Sequence, residues 1–260
     1  MSNLYQAPQP GLVLPVAEQF DRRYRQFYTA EASGYDQIRF SDPDGVAFNT
    51  SEQVRICELL DLRPGQTVLD VAAGTGRIAA ALAARGLDVV AYDITPNMLR
   101  QAQSRAAAQE LENLRCVSGN GRMLPFADEQ FDAVISIRFL HLFPATFYRS
   151  FIQEMWRVVR PGGVLLIQFD SAMAGGGAVC LRELYRRLVL GHKPRYFLRP
   201  DHIPNAFGAI DNLSLHGFSP FGERLMRRLH PRGAARVDAL LSEGQPSFLA
   251  NHVFVRAIKR

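Results

Sequence analysis

The sequence predicts an α/β fold, with a mostly parallel sheet and helices on both of its faces. Three observations predict it. Short aliphatic runs alternate with helix-patterned segments between residues 66 and 170, which marks parallel strands joined by helical crossovers. The first of these runs breaks into a turn of small residues, Ala72-Ala73-Gly74-Thr75-Gly76, followed by an Ala-rich helix former. Such a turn aims backbone N–H groups at a ligand, with no bulky side chain in the way. Finally, two runs end in an acid, Asp70 and Asp93. In open sheets ligands bind outside the carboxyl ends of the strands, where an acid can take both hydroxyls of a ribose.

The elements follow in order. Residues 1–15 carry proline and little periodicity, and read as a loose arm. From Val16 the pattern is helical, with Phe20, Tyr24, Phe27 and Tyr28 on one face and Asp21, Arg22, Arg23 and Arg25 opposite. Glu31 to Gly45 reads as irregular. Thr50 with Gln53 three residues on suggests a capping box for a helix reaching Leu60. Strands are expected at 66–71, 88–93, 114–118, 132–137 and 163–169, and helices at 77–85, 96–109 and 145–159. Arg160-Pro161-Gly162-Gly163 stops the last helix and turns into the fifth strand. Beyond Asp170 comes Gly175-Gly176-Gly177, then a basic amphipathic helix over 178–190 and a loop rich in Pro, Arg and aromatics. Two further strands, near 211–218 and 248–258, would form an antiparallel edge. The division expected is an arm and helical lid over 1–60, a core over 61–170, a substrate-side insertion over 171–205 and completing strands over 206–260.

Composition bounds the class. At 260 residues and 47 % hydrophobic content, one packed domain with added cover elements is the natural size. Cys57, Cys116 and Cys180 show no paired spacing, which argues against a disulfide framework and a zinc site. No metal is implied. No signal peptide and no membrane-length apolar run are evident, so a cytoplasmic protein is expected. Charge is uneven: residues 1–177 hold 16 Lys/Arg against 19 Asp/Glu, and residues 178–260 hold 14 against 6. A basic tail bears on partners and not on fold.

The third strand leads into Gly119-Asn120-Gly121-Arg122-Met123-Leu124-Pro125-Phe126, and Phe131-Asp132 opens the fourth. With Val68-Leu69-Asp70-x-Ala-x-Gly-Thr-Gly, Asp93 before Thr95-Pro96-Asn97-Met98-Leu99, and Arg160-Pro161-Gly162-Gly163, the sequence resembles the class I S-adenosylmethionine-dependent methyltransferases. The likeness covers residues 61–170 and is greatest to the small-molecule branch that includes the ubiquinone and menaquinone C-methyltransferases. It implies a Rossmann-like fold with a seven-stranded, mostly parallel sheet, an antiparallel edge strand and helical lid elements. It also implies S-adenosylmethionine as cofactor and S-adenosylhomocysteine as product. Asp70 and the backbone of Ala72, Gly74 and Gly76 would border the methionine part. Asp93 would take the ribose hydroxyls. Ile94, Met98 and Met123 would pack on or beside the adenine, Asn120 would receive its amino group through the amide carbonyl, and Gly121 and Arg122 would supply backbone. Each of these three has a plainer alternative: Asp70 or Asp93 as a helix cap, Asn120 as a turn residue.

Methyl transfer from a sulfonium is an in-line displacement with an activated leaving group, so alignment does most of the work. A base is needed only where the accepting atom carries a proton. The catalytic candidates are His141 and Arg138. His141 has an ordinary pKa near neutrality, with core packing as its alternative. Arg138 ends an apolar strand and could pair with a substrate acid or phosphate, with Asp70, or with the cofactor carboxylate. Tyr35, Tyr196 and Arg195 are the candidate substrate contacts. The aromatic and basic residues outside the core suit a small or lipid-like acceptor of the quinol, phenol or glycolipid type. The helix over 178–190 could rest on an anionic membrane surface.

Nucleic acid fits poorly as acceptor, because Ser136-Ile137-Arg138-Phe139 lacks the Pro-Pro-aromatic run of base amino-methylating enzymes. A nicotinamide dehydrogenase would need a third glycine where Arg77 stands. A scaffold that binds the cofactor without methyl transfer is the non-enzymatic alternative.

Overall fold

The aliphatic runs become strands: β1 (Thr67–Val71), β2 (Asp88–Asp93), β3 (Leu114–Ser118), β4 (Phe131–Ser136) and β5 (Val159–Asp170). The computed structural model describes residues 16–170, 202–220 and 250–260. Two later strands, β6 (Ser214–Pro220) and β7 (Ala250–Ile258), complete a sheet of seven. Its order is β3-β2-β1-β4-β5-β7-β6. β1 pairs in parallel with both β2 and β4, while β7 pairs antiparallel with both β5 and β6. The expected antiparallel pairing therefore lies at this edge, with β7 as the reversed strand.

The helices between the first strands are α4 (Arg77–Ala83) after β1 and α5 (Pro96–Ala108) after β2. From β1 the chain moves outward to β2 and β3, then returns to lay β4 on β1's other side. That reversal is the switch point at which such sheets open a crevice.

Alternation along the strands divides the core. Val68, Ala133 and Ile135 face the Ala-rich α4, while Leu69, Val71 and Val134 face α6 (Tyr148–Val158). Both faces are covered, so β1 and β4 are aliphatic almost throughout. Asp132 pins the start of β4 to β1: it accepts from Thr67 N, Thr67 Oγ1 and Gln66 Nε2, each at 2.8 Å, and pairs with Arg160 at 2.5 Å. Burial raises its pKa, but these donors together hold the carboxyl below its usual range. A side chain at Gly163 would meet the Asp132 carbonyl at 2.8 Å, which accounts for the glycine there.

The N-terminal part departs from expectation. α1 (Val16–Glu31) forms as read, but the stretch expected to be irregular holds α2 (Tyr35–Phe40) and the start of α3 (Pro43–Leu60). Asp42 caps α3, accepting from Gly45 N at 2.5 Å, and Pro43 takes the first helical position. Thr50 is no cap: it lies inside the helix, and its hydroxyl donates to Val46 O at 3.0 Å. The helix expected from 145 begins with a 3-10 turn, Ala145–Phe147, before α6. The basic segment at 178–190 and the candidates Arg195 and Tyr196 lie outside the described residues. Among the described residues, no helix is long and apolar enough to cross a membrane.

Candidate active site

The turn after β1 has left-handed backbone at three positions: Ala72 (φ 63°), Gly74 (φ 57°) and Gly76 (φ 70°). At Gly74 nothing lies within 4 Å of where a Cβ would be, so the glycine serves conformation. At Gly76 a Cβ would sit 2.6 Å from the Ala102 Cβ, so this glycine also lets α4 approach α5. Ala72 is the costlier member, since an L-residue pays about 1–2 kcal/mol there. Its N–H and that of Ala73 donate to the Tyr92 carbonyl at 2.7 and 3.1 Å, which hold the turn against the end of β2.

Asp93 ties this turn to the next helix. One carboxylate oxygen accepts from Gly74 N at 3.0 Å, and the other accepts from Thr95 N at 2.7 Å, where α5 begins. The acid thus fixes the loop that leads into α5, whose N-cap residue Thr95 makes no side-chain cap bond, and it borders both cavities of the site. Burial pushes its pKa up despite these bonds.

The larger cavity holds about 600 Å³ of empty space, part of it open to solvent. It brings together Asp70, Ala72, Gly74, Asp93, Met98 and the tentative residues Tyr35 and Arg138. The smaller, about 370 Å³, brings together Ile94, Asn120 and Gly121, and shares Ala72 and Asp93 with the first.

Other expected residues sit elsewhere. Gly76 borders neither cavity and shapes the turn from behind. Met123, expected beside the adenine, is 78 % exposed. Its neighbour Leu124 is the one that turns into the core, with its N–H fixed by Glu154 at 3.0 Å. His141 is buried on a 3-10 turn, Leu140–Leu142, and borders neither cavity. Asn120 is held from both sides: Oδ1 accepts from Arg122 N at 3.0 Å and Nδ2 donates to Asp21 at 2.9 Å. Arg122 supplies more than backbone, since its guanidinium pairs with Asp21.

Sequence reasoning missed the acids that α1 and α2 bring. Asp21 on α1 borders the smaller cavity and bonds both Asn120 and Arg122. Asp36 on α2 accepts from Thr75 Oγ1 at 2.8 Å and pairs with Arg105, whose Nε donates to Thr75 O at 3.2 Å. Two acids thus clasp the N-terminal helices onto the turns below. Tyr24 and Tyr28, with ring centres 4.4 Å apart, wall the larger cavity. Burial raises the Tyr28 hydroxyl to about 12 and that of Tyr24 well above its ordinary value, so both stay protonated.

Asp70 is 2 % exposed, and its pKa is pushed up to about 7, first by burial and then by neighbouring Asp93; Arg77 and the Ala79 N–H act against both. The folded protein therefore keeps a proton that the unfolded chain loses near pH 4. Between pH 4 and about 7 the folded state binds more protons, so stability falls as pH rises through that window. The slope is at most about 1.4 kcal/mol per pH unit. Asp70→Asn is expected to flatten it in urea unfolding at pH 5, 6, 7 and 8. Parallel curves for the two proteins would place the titrating group elsewhere.

The sheet order is the one expected of the class I methyltransferase fold, and residues 68–163, a little over a third of the chain, match the family described as "Methyltransferase domain". The chain is similar to demethylmenaquinone methyltransferases: that of Corynebacterium efficiens is 42 % identical over 139 residues, 52 % of this chain and 55 % of that protein. An uncharacterized protein of Mycobacterium tuberculosis is 43 % identical over 102 residues, 39 % of this chain and 36 % of its own length. The match thus spans between a third and about half the length of these curated relatives. Among solved structures, phosphoethanolamine N-methyltransferase 2 of Haemonchus contortus, in complex with S-adenosylmethionine, superposes with a TM-score of 0.64 at 19 % identity. It covers 97 % of this chain and 61 % of that one.

Proposed function

We propose that this chain transfers the methyl group of S-adenosylmethionine to a small, largely apolar acceptor of the quinol, phenol or lipid-like kind. One observation carries the reading. At the switch point of the sheet, a buried acid ends β2, holds a left-handed glycine turn by its N–H, and borders two adjoining cavities.

The residues fit the cofactor. Asp93 stands where ribose hydroxyls can donate to it, because a carboxylate has about four acceptor positions and two N–H groups do not fill them. Ile94 and Met98 offer apolar surface on either side of that acid. The turn from Ala72 to Gly74 brings main chain to the cavity without side-chain bulk. When bound, the cofactor supplies a methyl group on a positively charged sulfur, and the C–S electron pair leaves with the sulfur.

The chain's own part is to position and to exclude water. α1 and α2 act as the lid, held by Asp21 and Asp36. Tyr24, Tyr28, Tyr35 and Phe40 give the acceptor an aromatic wall. Asp70, a carboxyl in the cavity lining whose pKa burial pushes up to about 7, is suited to take a proton from an accepting hydroxyl. The demethylmenaquinone methyltransferase relatives support a quinone-like acceptor.

Calorimetric titration with S-adenosylmethionine and S-adenosylhomocysteine is the first test, with micromolar binding of both expected. Transfer of radiolabelled methyl to quinols and phenols then tests the acceptor class. A folded protein that binds neither ligand would overturn the methyltransferase reading.

A further inference from the structure

β4 ends at Ser136, and the chain leaves the sheet through Ile137 and Arg138. Arg138 has φ 59°, in the left-handed region. Backbone strain of this kind persists where the surroundings enforce it, and it collects at binding sites. Two rings from different helices frame the guanidinium: its carbon is 5.5 Å from the centre of Phe40 on α2 and 5.6 Å from that of Phe48 on α3. Phe48 is itself fixed against Phe218 and His252, with ring centres 5.4 and 5.5 Å away. The side chain borders the larger cavity beside Tyr35, Asp70 and Arg77.

The other arginine in the lining of this cavity is committed. Arg77 pairs with Glu52 and bonds Asn49, each at 2.5 Å. Arg138 differs. Among the described residues it has neither a hydrogen bond nor an ion pair within 4.0 Å. The two carboxylates that act on it from a distance are bonded to other groups: Glu52 to Arg77 and Gln168, and Asp170 to His252 at 3.0 Å. A guanidinium taken out of bulk water without a bonded anion is costly, and one that faces a cavity is ready to receive an anion from a ligand. Its rigid fork suits a planar carboxylate or a phosphate, and the flanking rings keep the fork in one orientation.

We propose that Arg138 is an anion subsite of the larger cavity, taking an oxyanion (carboxylate, phosphate or phenolate) of a molecule bound there. The identity of that molecule rests on the methyltransferase reading, and two sources share the chemistry: an acidic group on the methyl acceptor, or the carboxylate of the cofactor's amino-acid part. An acidic acceptor would set this chain apart from one built for an uncharged quinone.

The test uses wild type, Arg138→Met and Arg138→Lys, each checked for folding by thermal melting. S-adenosylhomocysteine and 5′-methylthioadenosine, which lacks the amino-acid part, are titrated into each. Benzoate and phenyl phosphate, with neutral phenol as control, are titrated into free protein and into protein loaded with S-adenosylhomocysteine. If the acceptor supplies the anion, Arg138→Met weakens benzoate or phenyl phosphate by about tenfold or more and leaves S-adenosylhomocysteine unchanged. If the cofactor supplies it, the same variant weakens S-adenosylhomocysteine by that factor and leaves 5′-methylthioadenosine unchanged. Arg138→Lys, which keeps the charge, recovers part of the loss in either case. Unchanged affinity for every probe in Arg138→Met overturns the subsite. Failure of S-adenosylhomocysteine to bind wild type counts against the methyltransferase reading instead, and the anion titrations of free protein still decide for or against Arg138.

Discussion

Asp93→Ala is expected to weaken S-adenosylmethionine and S-adenosylhomocysteine together by at least about a hundredfold. Two losses add up. The direct one is a carboxylate that would accept from both ribose hydroxyls, with charge-assisted bonds of about 1.5–3 kcal/mol each. The indirect one is the turn itself. Gly74 N and Thr95 N donate to this carboxylate, and without it the Thr95 N–H is left buried and the part-buried Gly74 N–H loses its partner. The left-handed turn then loses the anchor that holds it open. Asp93→Asn separates these effects, since its single carbonyl oxygen can keep one of the two N–H bonds while the charge is gone. It is expected to melt closer to wild type than Asp93→Ala and still to bind about tenfold or more weakly. Calorimetric titration alongside thermal melting measures both. Wild-type affinity in a folded Asp93→Ala protein would remove the ribose role.

The parts of this fold that were legible share a cause. β1, β2 and β4 are buried on both faces, so their sequences are nearly unbroken aliphatic runs, and the acids Asp70 and Asp93 end two of them. The start of α3 was misread: Asp42-Pro43 caps the helix, and the Thr50–Gln53 spacing only mimics a cap. In the folded chain the Thr50 hydroxyl instead bonds the carbonyl four residues back. What could not be read is long-range. Asp21 meets Arg122 across 101 positions, and Asp36 meets Arg105 across 69, with nothing in either local pattern to announce a partner. Asn120 illustrates the consequence. Its residue type suits an adenine acceptor, and its amide also bonds Asp21 and Arg122 N. The position was readable and those partners were not.

Glu52 shows the same limit and carries the second large effect. In the sequence it is one more charge near the start of an amphipathic segment; in the fold it is fully buried. Its carboxylate meets Arg77 Nη2 at 2.5 Å and Gln168 Nε2 at 2.8 Å, joining α3 to α4 and to the end of β5. Burial opposes its ionisation, but Arg77, Arg138 and the Gln168 amide together hold its pKa below the ordinary range. Glu52→Ala leaves the Arg77 guanidinium buried with only Asn49 and the Phe40 ring, whose centre lies 4.4 Å away. Breaking one side of such a pair costs about 3–5 kcal/mol. For a chain of this length that lowers the melting temperature by roughly 10 °C. Glu52→Gln keeps the volume and a carbonyl acceptor, so its cost is expected to be smaller. The double variant Glu52→Leu, Arg77→Leu removes both charges and is expected to recover most of the stability, since an apolar pair of similar volume is often as stable as a buried ion pair. Urea unfolding of the three variants decides. A Glu52→Ala cost below about 1 kcal/mol, or a double variant less stable than the single, would mean that the pair contributes little and that Arg77 finds other partners.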